Sequence, residues 1–343
     1  MRIVIAGATG NAGTALLRRL TAAKAEGQDL QIVGISRRLP ESLVPPYLGV
    51  EWHSADVGAP VDIPRLGAIL DGADAVVHLA WQIQPNHRLD ELFRTNVTGT
   101  ANMLTATRRA GVRHFVCASS VGAYSRADKD RRVAEDWPVA GIAGSHYSEH
   151  KARQEALLNE FEAANPDITV ARLRPGLIFQ KDAGSEIGGY FLGRLIPRAV
   201  PPKPRVLLLP VPEEFVFQAV HADDVADAYW RVLQRRASGA FNVAAEPVID
   251  PNALGWLLGA RRIMPLPLGL LRAVVDLTWR ARLQATDAGW VDMAAAAPIM
   301  DTTRAREKLG WSPGRSSLQA IAEVLDGMGS GTGVAGSPPL RAR

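Results

Sequence analysis

Apolar, β-branched runs recur along the first two thirds of the chain, and the stretches between them change to a helical period. The runs at 2–6, 30–35, 49–52, 75–79, 114–119 and 168–174 predict strands. The intervening segments, clearest over 90–110 and 148–164, place apolar residues three and four apart and predict helices. Short strands alternating with helices predict an α/β fold built on a doubly wound parallel sheet. The alternation lapses after 174, where proline and leucine accumulate: Pro197, Pro201, Pro202, Pro204 and Leu207 to Pro210, then Pro265, Pro267, Leu268, Leu270 and Leu271.

The first run ends in glycines spaced by three, Gly7-Ala-Thr9-Gly10-Asn11-Ala12-Gly13, and an Ala/Leu-rich helical pattern follows directly. This is the strand–turn–helix order that a dinucleotide-binding turn needs. Gly7 allows the tight turn, Gly10 lets the backbone approach a pyrophosphate, and Gly13 lets helix and strand pack closely. The anion then sits at a helix N-terminus, where free N–H groups favour negative charge. The plain alternative is a glycine-rich turn without a ligand. An NAD site usually ends its second strand on an acidic residue for the ribose hydroxyl. Here Ser36 stands there and Arg37 and Arg38 follow, offering bidentate donors to a 2′-phosphate. NADP is the expected cofactor, with NAD the alternative if the arginines only begin a solvated loop.

Tyr147 and Lys151 stand one helical turn apart in Tyr-Ser-Glu-His-Lys. A free phenol has a pKa near ~10, and an adjacent cation pulls it down. Such a pair can move the proton in an alcohol–carbonyl interconversion. Alone, the same spacing also describes any surface helix.

Together these motifs make the chain resemble the extended short-chain dehydrogenase/reductases of the NAD-dependent epimerase/dehydratase family. The likeness runs from Met1 to about Pro313. It implies a Rossmann domain over 1–174, rejoined by 218–245, and a smaller substrate-binding lobe from 175–217 and 246–315. Asp56, followed by Val57, matches the acidic residue at the adenine, and Val76-Val-His-Leu79-Ala80 resembles the strand whose end, with Trp81, passes beside the cofactor. Asn96 resembles a structural or proton-relay asparagine, Ser120 the catalytic Ser/Thr, and Tyr147 and Lys151 the YxxxK pair. Leu173-Arg174-Pro175-Gly176 is similar to the sixth-strand motif that borders the cofactor. The resemblance implies a homodimer paired through the helices bearing Asn96 and Tyr147. Two departures matter. Val121 and Gly122 follow Ser120 where sugar dehydratases carry acids, which argues against water elimination. Gly176-Leu177-Ile178-Phe179-Gln180 lacks the Asn and Tyr-Gly-Pro of many nucleotide-sugar enzymes.

The expected activity is an NAD(P)-dependent oxidoreductase interconverting a secondary alcohol and a ketone. Tyr147 moves the proton, Lys151 lowers its pKa and binds the nicotinamide ribose, Ser120 holds the substrate oxygen, and Asn96 supports the proton path. The alternatives are a 4-epimerase-like nucleotide-sugar enzyme with tightly held NAD and a non-catalytic NADP sensor. Gln82, Ser120, Val121 and Tyr147 are candidate substrate residues, with Trp81 and Gln84 beside them. At 343 residues and 47% hydrophobic, the chain can bury a large core. Its net charge of +4 is scattered, without the basic stripe of a nucleic-acid binder. The one cysteine, Cys117, falls in a predicted strand and has no metal-ligand spacing. His146 and His150 are expected in solvent, His78 at a packed strand end, and Asp223 as the N-cap after His221. No metal, membrane span or nucleic-acid partner is expected, a small molecule is the expected partner, and the cytoplasm is the default location. Residues 328–343, rich in glycine, are expected to be disordered.

Overall fold

The computed structural model describes residues 1–191 and 206–342. The chain runs β1 (Arg2–Ala6), α1 (Asn11–Ala25), β2 (Gln31–Ser36), β3 (Glu51–Ser54), α2 (Ile63–Leu70), β4 (Ala75–His78), α3 (Leu89–Phe93), α4 (Gly99–Arg109), β5 (His114–Ala118), β6 (Arg132–Val133) and α5 (His146–Ala164). It continues through β7 (Thr169–Pro175), β8 (Leu177–Phe179), α6 (Gly184–Phe191), β9 (Leu208–Val211), β10 (Ala219–His221), α7 (Ala222–Arg235) and β11 (Gly239–Val243). Last come α8 (Pro251–Leu257), β12 (Arg262–Pro265), α9 (Leu268–Arg280), α10 (Ala288–Ala296), β13 (Ile299–Met300) and α11 (Ser317–Ser330).

Seven parallel strands form the central sheet in the order β11-β7-β5-β4-β1-β2-β3. The strands are apolar on both faces because both faces are covered. Ile3 and Ile5 of β1 face α1 and α7, meeting Leu16, Leu17, Tyr229 and Leu233. Val4 and Ala6 face the other layer, with Leu66, Leu70, Met103 and Leu158. The strand order reverses between β1 and β4, and ligands of open α/β sheets bind at such a reversal, beyond the carboxyl ends of the strands.

Strand positions agree with the hydrophobic pattern to within two residues. The helix expected at 90–110 is present, but a π-turn over Arg94–Thr98 interrupts it at Asn96. Such single-turn bulges often mark functional sites.

Two expectations need correction. The tail is folded: Val334 and Leu340 are buried in the layer that holds Tyr47 and α1. Val334 N–H donates to the Leu340 carbonyl at 2.7 Å, and the Ser337 hydroxyl donates to the Thr9 carbonyl at 3.1 Å. Two apolar anchors and a Pro-Pro pair offset the ordering cost that composition suggested. His221, rather than Asp223, caps α7: its ring accepts from Asp223 N–H, and its other nitrogen meets Glu323 at 3.0 Å. Helix α9 leaves Leu270 and Leu277 55% and 70% exposed. Pro197, Pro201, Pro202 and Pro204 lie outside the described residues.

Candidate active site

The glycine turn is tight for reasons of backbone approach. Gly7 has φ +85°, and a Cβ there would lie 2.6 Å from Ala80 N. A Cβ on Gly13 would lie 2.3 Å from the Gly7 carbonyl oxygen. Gly10 differs, since its nearest neighbour would be 3.6 Å away, so protein packing does not demand a glycine there. No side chain caps α1, and its first turn carries no acid. An anion is therefore the natural complement to its N-terminus.

A cavity of about 380 Å³ runs from this turn to the ends of β2 and β4. Gly7, Thr9, Gly10, Ser36, Arg37, Arg38, Val57, Leu79, Ala80, Trp81, Gln82 and Gln84 border it. A second, of about 250 Å³, runs from the same turn toward α5. Asn11, Ala12, Gly13, Ser120, Val121, Tyr147, Lys151, Pro175 and Gly176 border that one. Gly7, Gly10, Leu79 and Trp81 belong to both, so the two form one corridor. A basic end, a capless helix and an end carrying Tyr147 and Lys151, in that sequence, fit a nicotinamide dinucleotide. The Ser36 hydroxyl donates to the Arg38 carbonyl at 2.7 Å, and Arg37 reaches Gln82 Oε1 at 3.4 Å.

Two site candidates line neither cavity. Asp56 accepts from Arg94 at 2.8 Å and from Gly58 N–H at 2.9 Å. Burial raises its pKa, but these bonds outweigh it and hold the carboxyl below its usual range. Asn96 spends its side chain on Gln82, accepting from its N–H at 2.7 Å and donating to its carbonyl at 2.9 Å. Both residues shape the corridor wall from behind.

At the far end of the corridor, Ser145 caps helix α5, its hydroxyl accepting from Ser148 N–H, and the helix carries Tyr147 and Lys151 on adjacent turns. Tyr147 lies beside Ser120, and its ring meets Trp81 edge-on at 5.7 Å and tilts against Trp290 at 4.9 Å. Lys151 does not point at the phenol. Its ammonium donates to the Ala118 carbonyl at 2.7 Å and Gln154 Oε1 at 3.0 Å, and lies 3.4 Å from the Trp81 ring centroid. The electrostatics follow. Burial raises the Tyr147 pKa, Ser120 opposing it, and pushes Lys151 down to about 7. Tyr147 is thus a phenol at neutral pH, not the phenolate precursor expected from its lysine neighbour.

A buried ion cluster supports the end of β5. Ser119 donates to Glu155 at 2.5 Å; Glu155 also accepts from Arg174 at 2.8 and 3.0 Å and Arg172 at 3.2 Å. Glu155→Gln leaves the buried Arg174 guanidinium without its counter-charge, while Arg172 keeps Glu162. A loss of about 3 kcal/mol in stability is expected from urea unfolding at neutral pH. An unchanged midpoint would show that the cluster contributes nothing.

Several residues at the site gave no signal in the sequence. Trp290 and Met293 come from α10, and Tyr229 from α7. Pro338 and Pro339 of the tail border the basic end. Glu186 and Tyr190 lie between the halves, joined by a 2.6 Å bond from the phenol. The histidines beside Tyr147 are not solvated. His146 meets Asp287 at 2.9 Å, and His150 packs edge-on to Phe93 at 5.4 Å, with burial pushing its pKa to about 4. His78 is buried against Thr100 at 3.1 Å, and burial pushes its pKa to about 3. Cys117 is a buried thiol raised to about 12. Among the described residues no cluster could hold a metal and no helix is long and apolar enough to cross a membrane.

The sequence pattern of the NAD dependent epimerase/dehydratase family matches residues 3–244. An uncharacterised protein of Mycobacterium tuberculosis is 24% identical over 325 residues, 94% of this chain but 29% of that protein. The chain therefore spans less than a third of that relative's length. A UDP-glucose 4-epimerase of Mycolicibacterium smegmatis is 27% identical over 347 residues, covering 95% of this chain and 98% of the epimerase. The crystal structure of Thermus thermophilus UDP-glucose 4-epimerase in complex with NAD superposes with a TM-score of 0.67 at 20% identity, over 96% and 99% of the two chains.

Proposed function

Since the chain belongs to the NAD-dependent epimerase/dehydratase family, whose members are enzymes, we propose that it interconverts a secondary alcohol and a ketone using a nicotinamide dinucleotide. One observation carries this reading: Ser120, Tyr147 and Lys151 converge on a cavity that opens onto the glycine turn. When bound, the nicotinamide supplies or accepts the hydride. Ser120, beside Tyr147 on the cavity wall, orients the substrate oxygen. Tyr147 keeps its proton at neutral pH and gives it to the carbonyl oxygen in reduction. Lys151 would turn from Ala118 and Trp81 toward the ribose, bringing positive charge near the phenol.

NADP is the preferred cofactor in this reading. Ser36 replaces the usual acid at the end of β2, and Arg37 and Arg38 border the cavity there. NADPH should bind at least ~10-fold tighter than NADH, because two guanidinium groups meet a phosphate. The double variant Arg37→Ala/Arg38→Ala should erase that preference while leaving NADH affinity within about twofold. Fluorescence titration checks both values, and equal affinities in the native protein would remove the NADP assignment. A carbonyl screen with the tighter cofactor then tests turnover.

The 4-epimerase alternative draws on the full-length likeness to UDP-glucose 4-epimerases. It requires retained cofactor, so protein purified with stoichiometric NAD and active on a UDP-sugar without added cofactor would favour it. Pairing through the helical segments bearing Asn96 and Tyr147 into a homodimer belongs to the proposal, and sedimentation of the purified chain tests it.

A further inference from the structure

The catalytic cavity continues into a second one on the side away from the glycine turn. This extension holds about 310 Å³, within the range of small-molecule sites. It shares Val121, Gly176, Leu177, Trp290 and Met293 with the cavity around Tyr147, so a ligand at the phenol can extend into it directly. Its far wall is apolar, built from Phe215, Phe217, Val291, Ala294 and Ala297.

The polar groups in its lining are already engaged. Lys129 donates to the carbonyls of Val216, Ala294 and Ala297 at 2.8, 3.0 and 2.6 Å. The Gln218 carboxamide accepts from Met300 N–H at 2.7 Å and donates to its carbonyl at 3.2 Å. Groups with their bonds made inside the protein have little to offer a ligand, and a polar ligand buried there would lose its water uncompensated. A sugar diphosphate needs the opposite lining, with free cations and hydrogen-bond donors. Among the described residues of the two cavities, the cations are Lys129 and Lys151, both held by carbonyls.

We propose that the extension receives the hydrocarbon portion of the substrate, so that the alcohol or ketone at Tyr147 carries an apolar chain or ring system. This deepens the reading of Tyr147 as the proton donor and rests on it. The size and lining of the cavity set the class: a largely hydrocarbon secondary alcohol or its ketone.

The test is a series of 2-alkanones, from butanone through octanone to decanone, with NADPH. Each buried methylene adds about 0.8 kcal/mol, or roughly fourfold in kcat/KM, until the cavity is full. Ala294→Phe, and the milder Ala297→Leu, fill the extension without touching Tyr147, Ser120 or Lys151. With Ala294→Phe the decanone value should fall at least ~10-fold while butanone stays within about twofold. Equal kcat/KM for butanone and decanone, or equal losses for both in the variants, would overturn the assignment. A calorimetric titration of 2-decanone into protein saturated with NADP⁺ separates the two readings. Binding that weakens in Ala294→Phe without any turnover keeps the cavity and sinks the redox reading. Absence of binding sinks the cavity.

Discussion

Replacing Tyr147 by phenylalanine is expected to cut kcat by about 10³-fold while NADPH affinity stays within twofold. The variant keeps the ring, and with it the contacts to Trp81 and Trp290, and loses only the hydroxyl that meets Ser120. Because the change removes a proton donor, kcat and kcat/KM should fall together. The pH profile adds a second readout. Burial raises the Tyr147 pKa, so the proton needed for reduction is present throughout the neutral range. Reduction should therefore be flat with pH there as far as Tyr147 is concerned, whereas alcohol oxidation, which needs the deprotonated oxygen, should rise with pH. Steady-state rates in both directions measure this. A phenylalanine variant with more than a tenth of native activity would remove Tyr147 from the reaction.

Gly13→Ala should weaken cofactor binding at least ~100-fold and lower stability by about 1–3 kcal/mol. The added methyl would meet the Gly7 oxygen at 2.3 Å and the Ala8 carbonyl carbon at 2.7 Å. Those are backbone atoms of the turn itself, so relief requires α1 to lift away from β1. That movement shifts the helix N-terminus where the pyrophosphate would bind. Gly10→Ala is the informative contrast, because its Cβ has no neighbour nearer than 3.6 Å. It should leave the urea midpoint close to native and affect cofactor affinity alone. Native affinity in Gly13→Ala would mean that the dinucleotide does not lie along this turn.

Much of the site was visible in the residues because it depends on local geometry. Glycines at 7 and 13 announce a turn whose backbone must approach other backbone, and Ala80 N and the Gly7 carbonyl are the atoms approached. Tyr147 and Lys151 share a helix face wherever that helix is placed. The family resemblance puts Asp56 at the adenine, and its carboxylate is also held by Arg94, a partner 38 positions away that no local pattern reveals. His146 and His150 depart from the solvent expected of them for a similar reason. Helical offset says which way a side chain points but not what stands there, and Asp287 and Phe93 come from distant segments.

The period of its apolar residues determined that this chain builds a parallel sheet ending in a dinucleotide turn, since strand and helix periods are local properties of the backbone. Tertiary structure alone decided the rest. It set the lysine over Trp81, brought Trp290 and Met293 across from α10, and laid the Pro338–Pro339 segment beside the basic end of the corridor. Charge and solvent exposure at a buried group depend on everything packed around it, and those neighbours are supplied by chain far removed in sequence.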